Sequence, residues 1–219
     1  MIGGDQEGRR KFLKGLVGGQ FKPLSNENIV RIHGSSLRIL EAIGVKVPLQ
    51  EAVQILEKHG AKVDGEIVRI PLSLVEEALK LVPNRFLMAG REEKDDLLME
   101  DRRVYLGTGG AAINVLDLET GRARAAMLQD VAQLAKLVDA LGNIHFYLRP
   151  CIPQDIPEET IDINQFYASL TNTTKNVMVS AQSVEAARDV IEMARMIAGG
   201  EEALEKRPII SFVTSWMIS

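Results

Sequence analysis

Four places in this chain put a side chain that can bind something where the sequence pattern changes. Arg149 sits toward the carboxyl end of the predicted strand Ile144–Ile152. A guanidinium there offers a planar fork of donors that can hold a carboxylate. Its plainer role is a salt bridge to Asp155 or Glu158. Gln182 comes just before Ser183, a predicted helix cap, and either faces the open end of a sheet or makes a hydrogen bond where the helix starts. Trp216 is the single tryptophan. Its ring can face a cation, or it can pack as an apolar side chain. Gly107, Thr108, Gly109 and Gly110 form a glycine-dense turn. Without Cβ atoms, backbone can come close to a ligand, and a tight turn would need the same residues. These seven positions are the candidate binding residues; no residue is assigned to catalysis.

Other reactive types carry less. His33, His59 and His145 are scattered, and none stands at metal-ligand spacing from a carboxylate or from Cys151, so no metal site is expected. Cys151 has no base near it in sequence and reads as a buried structural thiol. Asp117 and Glu119 read as turn formers around Gly121. The chain has 219 residues, 46% hydrophobic and 26% charged, which is ordinary for a globular protein. A net charge of −4 gives nucleic acid no electrostatic support as a partner. One cysteine excludes an internal disulfide framework and fits a reducing cytosol. No apolar run is long enough to span a bilayer. Arg9-Arg10-Lys11-Phe12-Leu13-Lys14 looks like a twin-arginine export motif, but no apolar stretch or small-residue cleavage site follows it. The segment reads as a basic arm, and the location as cytoplasmic.

The elements that must position these residues fall into three parts. Residues 1–23 are expected as a flexible basic arm. Residues 24–83 read as a helical module with one hairpin. Ser25 caps a helix with Ile29, Ile32, Leu37, Leu40 and Ile43 on one stripe, and Gly44 stops it. A second helix runs from Leu49 to Lys58. Asp64-Gly65 marks the hairpin, and Ser73 with Glu76 suggests a capping box over Leu74–Leu81. Residues 84–219 form the third part. Arg91–Asp96 reads as a solvated charged loop, and residues 97–126 as β-structure with turns. From Leu128 the pattern alternates: helix (Leu128, Val131, Leu134, Ala135, Val138, Leu141), strand Ile144–Ile152, helix Glu158–Leu170, strand Val177–Ala181, a helix capped by Ser183 and ended by Gly199-Gly200, and strand Pro208–Val213.

Strands separated by helices of this length pair in parallel. An open doubly wound sheet and a (β/α)8 barrel both fit. A dinucleotide-binding sheet opens with a glycine turn between strand and helix. Here the turn is followed by the strand pattern Ala111-Ala112-Ile113-Asn114-Val115, which counts against a phosphate cradle. A barrel takes about 250 residues, and the alternating portion has about half of that. The expected fold class is therefore α/β, a partial (β/α)8 barrel behind an N-terminal helical module, either a fragment or a truncated product. If the chain ends at Ser219, Pro208–Val213 is an uncovered edge; it carries Ile209, Ile210, Phe212 and Val213 without a charge, so self-association is expected.

Several separated segments also resemble one known family. They are Leu40-Glu41-Ala42-Ile43-Gly44-Val45, His59-Gly60-Ala61-Lys62-Val63-Asp64-Gly65, Val68-Arg69-Ile70-Pro71, Phe86-Leu87-Met88-Ala89-Gly90-Arg91 and the stretch from Gly107 to Asp130. In this order they are similar to the N-terminal part of the corrinoid-dependent trimethylamine methyltransferases, including the non-pyrrolysine glycine betaine methyltransferases. The resemblance implies a (β/α)8 barrel with an N-terminal helical extension, in proteins about twice as long. It implies transfer of a methyl group from a small methylated amine, such as trimethylamine or glycine betaine, to the Co(I) of a separate corrinoid-binding protein. No cofactor would then be bound directly; the cobalamin comes with the partner. Such a site must hold the N-methyl carbon in line and exclude water. Aromatic faces suit a trimethylammonium head, and a guanidinium suits a betaine carboxylate. A non-catalytic structural or partner-binding fragment is the alternative reading.

Overall fold

The computed structural model describes Leu13 and residues 15–213. Trp216 and most of the basic run at Arg9–Lys14 lie outside the described residues. The chain divides into two compact units, Gly19–Asn84 and a unit made of Met1–Gly18 with Arg85–Ser219.

The larger unit contains the N-terminal strand β1 (Leu16–Val17). The smaller unit follows, with α1 (Asn26–Arg38), a wider helical turn at Ile39–Ile43, β2 (Val45–Lys46), α2 (Gln50–Lys58), β3 (Lys62–Asp64), β4 (Ile67–Arg69) and α3 (Leu72–Leu81). Ser25 caps α1, its Oγ accepting from Asn28 N at 3.2 Å. Gly44 ends the helical stretch at φ 87°, and a Cβ there would sit 2.7 Å from the Val68 carbonyl oxygen, so only glycine lets the chain fold back this tightly. The strands form an antiparallel sheet in the order β2-β4-β3, with the predicted hairpin turning at Gly65. Val47, Val53, Ala61 and Val68 make its core.

Two expectations are corrected here. Of the predicted α1 stripe only Leu37 is buried, while Ile29, Ile32 and Ile43 are exposed. The sheet packs α2 and α3 residues instead, among them Ala52, Leu56 and Leu74. The capping box at Ser73 does not form, because α3 starts earlier: Val75 N already donates to the Pro71 carbonyl. Proline suits a helix start, having no N–H to leave unpaired.

In the larger unit β5 (Arg85–Met88) pairs antiparallel with β6 (Leu97–Glu100), and β7 (Arg103–Val104) pairs antiparallel with β1. Part of the segment expected as a flexible arm is thus a sheet strand. The Tyr105 hydroxyl adds a bond to the Leu13 carbonyl at 3.0 Å. The charged run at Arg91–Asp96 also differs from the expected solvated loop. Asp95 and Asp96 are buried, Asp96 against Arg207 and the Gly90 N–H, Asp95 against the Thr174 hydroxyl. Buried carboxylates persist where such partners replace water.

A hairpin of β8 (Asn114–Leu116) and β9 (Ala123–Ala125) leads into α4 (Leu128–Ala140). The rest alternates as expected: β10 (Tyr147–Leu148), α5 (Ile161–Leu170), β11 (Val177–Val179), α6 (Val184–Ala198), α7 (Glu201–Lys206) and β12 (Ile210–Phe212). The last three strands are parallel and adjacent in chain order, with Tyr147 opposite Val177 and Val177 opposite Ile210. Each is shorter than predicted. The fold class is α/β. The main core lies between this sheet and the helices, with Val131, Val138, Tyr147, Phe166, Leu170, Val177, Val179 and Val190 buried.

Candidate functional site

Alternation along a strand sorts the residues around Arg149 onto two faces. Tyr147 and Cys151 belong to the core under the helices, and Phe146 packs on the other side with Met88, Leu97 and Tyr105. Arg149 shares the register of Tyr147 and Cys151, so its stem starts on the helix side. Its N–H donates to the Met178 carbonyl at 3.2 Å, which holds it one step beyond the last strand pair. From there Nη1 reaches the Gln165 Oε1 on α5 at 3.1 Å, and Nη2 lies 3.4 Å from the Ser180 Oγ. The alternative, a salt bridge to Asp155 or Glu158, does not form among the described residues. Asp155 instead accepts from the Leu128 N–H at the start of α4, at 2.9 Å. Arg149 makes no ion pair within 4.0 Å among the described residues. Burial pushes its pKa below the usual value, and the Asp162 charge acts against that.

Gln182 is placed by α5 as well. Its backbone N–H donates to Asp162 Oδ2 at 2.7 Å, while its side chain is exposed. Ser183 caps α6 one residue later, accepting from Ala186 N at 3.0 Å. Arg149 and Gln182 thus lie at the carboxyl ends of neighbouring parallel strands, tied to two residues of one helix. Burial pushes the nearby Cys151 thiol and the Tyr147 hydroxyl up. The Tyr147 hydroxyl is spent on the Val131 carbonyl at 3.3 Å.

The glycine segment proves to be a strand-like neighbour of β10. Gly107 pairs in parallel with Phe146, and Ala112 with Cys151, so both bridges share one register. Between them the backbone bulges through Gly110 (φ 147°) and Ala111 (φ 62°). There the Thr108 hydroxyl replaces the missing ladder, donating to the Leu148 carbonyl at 2.6 Å and accepting the Leu148 N–H at 3.1 Å. A Cβ on Gly107 would lie 2.3 Å from the Phe146 ring. Close approach is what these residues provide, and the partner they approach is the adjoining segment of their own chain. Thr108 and Gly107–Gly110 therefore stand beside β10, while Trp216 lies outside the described residues.

Sequence reasoning missed Asp162 and Gln165. The signal was present: both fall on the buried face of α5 together with Ile161, Phe166, Ser169 and Leu170. Polar residues recurring on the apolar face of a helix ask for partners.

A family model described as trimethylamine methyltransferase matches residues 6–216. The chain belongs to this family. Among its relatives, the trimethylamine methyltransferase MttB of Desulfitobacterium hafniense (strain DSM 10664 / DCB-2) is 34% identical over 189 residues, covering 85% of this chain and 38% of the relative. The glycine betaine methyltransferase of Desulfitobacterium hafniense (strain Y51) is 29% identical, covering 87% and 40%. The trimethylamine methyltransferase MttB of Methanosarcina thermophila is 29% identical, covering 90% and 42%. This family member thus spans about two fifths of the length of the curated relatives it matches. Among its described residues no helix is long and apolar enough to cross a membrane.

Proposed function

We propose that the chain forms the N-terminal half of a (β/α)8 barrel that moves a methyl group from a small methylated amine to a corrinoid protein. The family match over residues 6–216 carries this reading. The architecture supports the barrel: the Gly107–Ala112 segment, β10, β11 and β12 stand side by side in parallel, in chain order. Barrel sites lie at the carboxyl ends of the strands, where Arg149, Ser180 and Gln182 are found.

The corrinoid belongs to the partner protein and supplies the nucleophile that takes the methyl group. The residues of this chain would bind, orient and desolvate the amine. Arg149 fits that task in one respect. A guanidinium has five N–H donors, and Arg149 uses two of them among the described residues. With no anion paired to it, it is suited to a substrate carboxylate, which makes a betaine a better fit than a simple amine. Trp216 remains the candidate for the ammonium head.

The test is methyl transfer followed by the change in the corrinoid's visible spectrum, with a panel of methylamines and betaines. It is run on the chain alone and joined to the C-terminal half of a full-length relative. Spectral change with at least one substrate in the joined protein is expected. Silence across the panel, with a corrinoid protein that other methyltransferases can methylate, rejects the activity. Arg149→Ala should weaken a betaine by roughly tenfold or more, the cost of a charge-assisted hydrogen bond, and leave trimethylamine less affected. An equal loss for both would reject the clamp and leave the activity standing.

A further inference from the structure

The first two turns of α1 have no buried side. Every residue from Asn26 to His33 is exposed, and Leu37 is the one buried residue of the helix. A helix this short is marginal in water unless an apolar face packs against something. The apolar residues nonetheless keep to one face. Ile29, Ile32, Ile39 and Ile43 recur at helical spacing, with Ser36 filling the gap between them, so all five lie on one stripe. Ile29 is 51% exposed, Ile32 54%, Ile39 52% and Ile43 67%, and Leu24 just ahead of the helix is 47% exposed. Together they leave on the order of 500 Å² of apolar surface in water, as much as the largest patch of a typical monomer. A stable interface buries about 800 Å² per partner, a little over half of it apolar. The patch therefore suffices for one such contact. The ionisable residues Glu27, Arg31, Arg38 and Glu41 repeat along the opposite side of the helix.

The order of residues in the stripe points to its occupant. Ser36 stands at the centre, Ile29 and Ile43 are equally far to either side, and Ile32 and Ile39 come between. A second copy laid antiparallel, with its Ser36 on this one, sets Ile29 against Ile43 and Ile32 against Ile39 in both halves of the contact. Self-complementarity of this kind is what a two-fold interface requires. The small side chain at the centre lets the two helices cross closely. The Ser36 hydroxyl already donates to the Ile32 carbonyl at 3.1 Å, and the Ser35 hydroxyl to the Arg31 carbonyl at 2.9 Å. Neither brings an unpaired donor into a dry seam. No charge in the stripe repels a second copy, and none offers an unlike partner a charge to select. We propose that α1 is the two-fold contact of a homodimer of this chain, its two copies antiparallel and crossing at Ser36.

The experiment is disulfide trapping combined with sedimentation of the 219-residue chain. Cys151 is the single cysteine and is buried, so an introduced thiol reports alone. Ser36→Cys, oxidised with copper–phenanthroline, should give a covalent dimer, because a residue on the two-fold axis meets its own copy within disulfide reach. Val30→Cys lies off the stripe and should link far less, although Val30 is 68% exposed. Ile32→Asp changes a side chain that is exposed in the single chain, so circular dichroism should show the fold retained. It buries a carboxylate without a partner in the dimer, which should raise the dissociation constant at least about tenfold and abolish the Ser36→Cys link. Equal linking of Val30→Cys and Ser36→Cys overturns the proposal. So does a wild-type chain that stays monomeric. Association undiminished by Ile32→Asp overturns it too, and assigns the contact to the β12 edge or another surface.

Discussion

Lys175 carries the sharpest stability prediction. It precedes β11, is 5% exposed, and its ammonium donates to three backbone carbonyls, Val138 at 2.6 Å, Leu141 at 2.7 Å and Ile144 at 2.6 Å. Those carbonyls end α4 and the turn behind it, where a helix leaves its last acceptors unpaired and its dipole negative. Lys175→Met keeps the stem and removes the donors. A hydrogen bond to a charged group contributes about 1.5–3 kcal/mol net, and an orphaned buried carbonyl costs about 1–3 kcal/mol. The three contributions do not add. The Val138 and Leu141 carbonyls each keep one backbone donor, from Leu141 and Ile144 at 3.2 Å. Burial also pushes the Lys175 pKa down, so removing the charge returns part of its desolvation cost. The expected loss is about 2–4 kcal/mol. For a chain of this size that is a fall in melting temperature of roughly 4–16 °C. Thermal and urea unfolding followed by circular dichroism measure it. A Lys175→Met protein within about 0.5 kcal/mol of wild type, the range of ordinary surface changes, would show that the ammonium does not cap α4.

The remaining predictions concern the strand ends and the hairpin. Thr108→Val should cost about 1–3 kcal/mol by stranding the Leu148 N–H, and Thr108→Ser should restore most of it; equal stability of all three by urea unfolding would remove the hydroxyl's bridging role. Arg124 grips Asp130 through two bonds of 2.7 and 2.8 Å and Asp117 through one of 3.3 Å, fastening the hairpin to α4. Arg124 holds the Asp130 carboxyl below its ordinary 3.8, and Thr120 holds Asp117 below it. A depressed carboxylate stabilises the fold above the unfolded pKa and loses that as pH falls through the folded value. Hairpin amides should therefore lose exchange protection below about pH 4, and Arg124→Ala should lose it at neutral pH; protection flat with pH would contradict this. β12 has β11 as its one neighbour among the described residues. Self-association of the 219-residue chain at about tens of micromolar is expected in sedimentation, and a stable monomer would refute it.

The alternating half was legible because its helices and strands bury one-sided apolar patterns, and parallel pairing of β10, β11 and β12 follows from helices lying between them. What the pattern did not carry was pairing between distant segments. Nothing near Leu16–Val17 announces its partner at Arg103–Val104, and nothing in Arg91–Asp96 announces Arg207, more than a hundred residues away. The same limit shaped the site. Arg149 and Gln182 were visible as strand-end residues, but what they touch depends on the buried face of α5, where Asp162 and Gln165 stand among apolar residues. Asp162 and Gln165 became meaningful only once the fold placed them over two strand ends with one atom of each unmet. The glycine segment shows the converse. Its composition announced close approach, and composition alone could not say to what. The answer lies in Phe146 and Leu148 of the same chain, so glycine density here reports sheet packing.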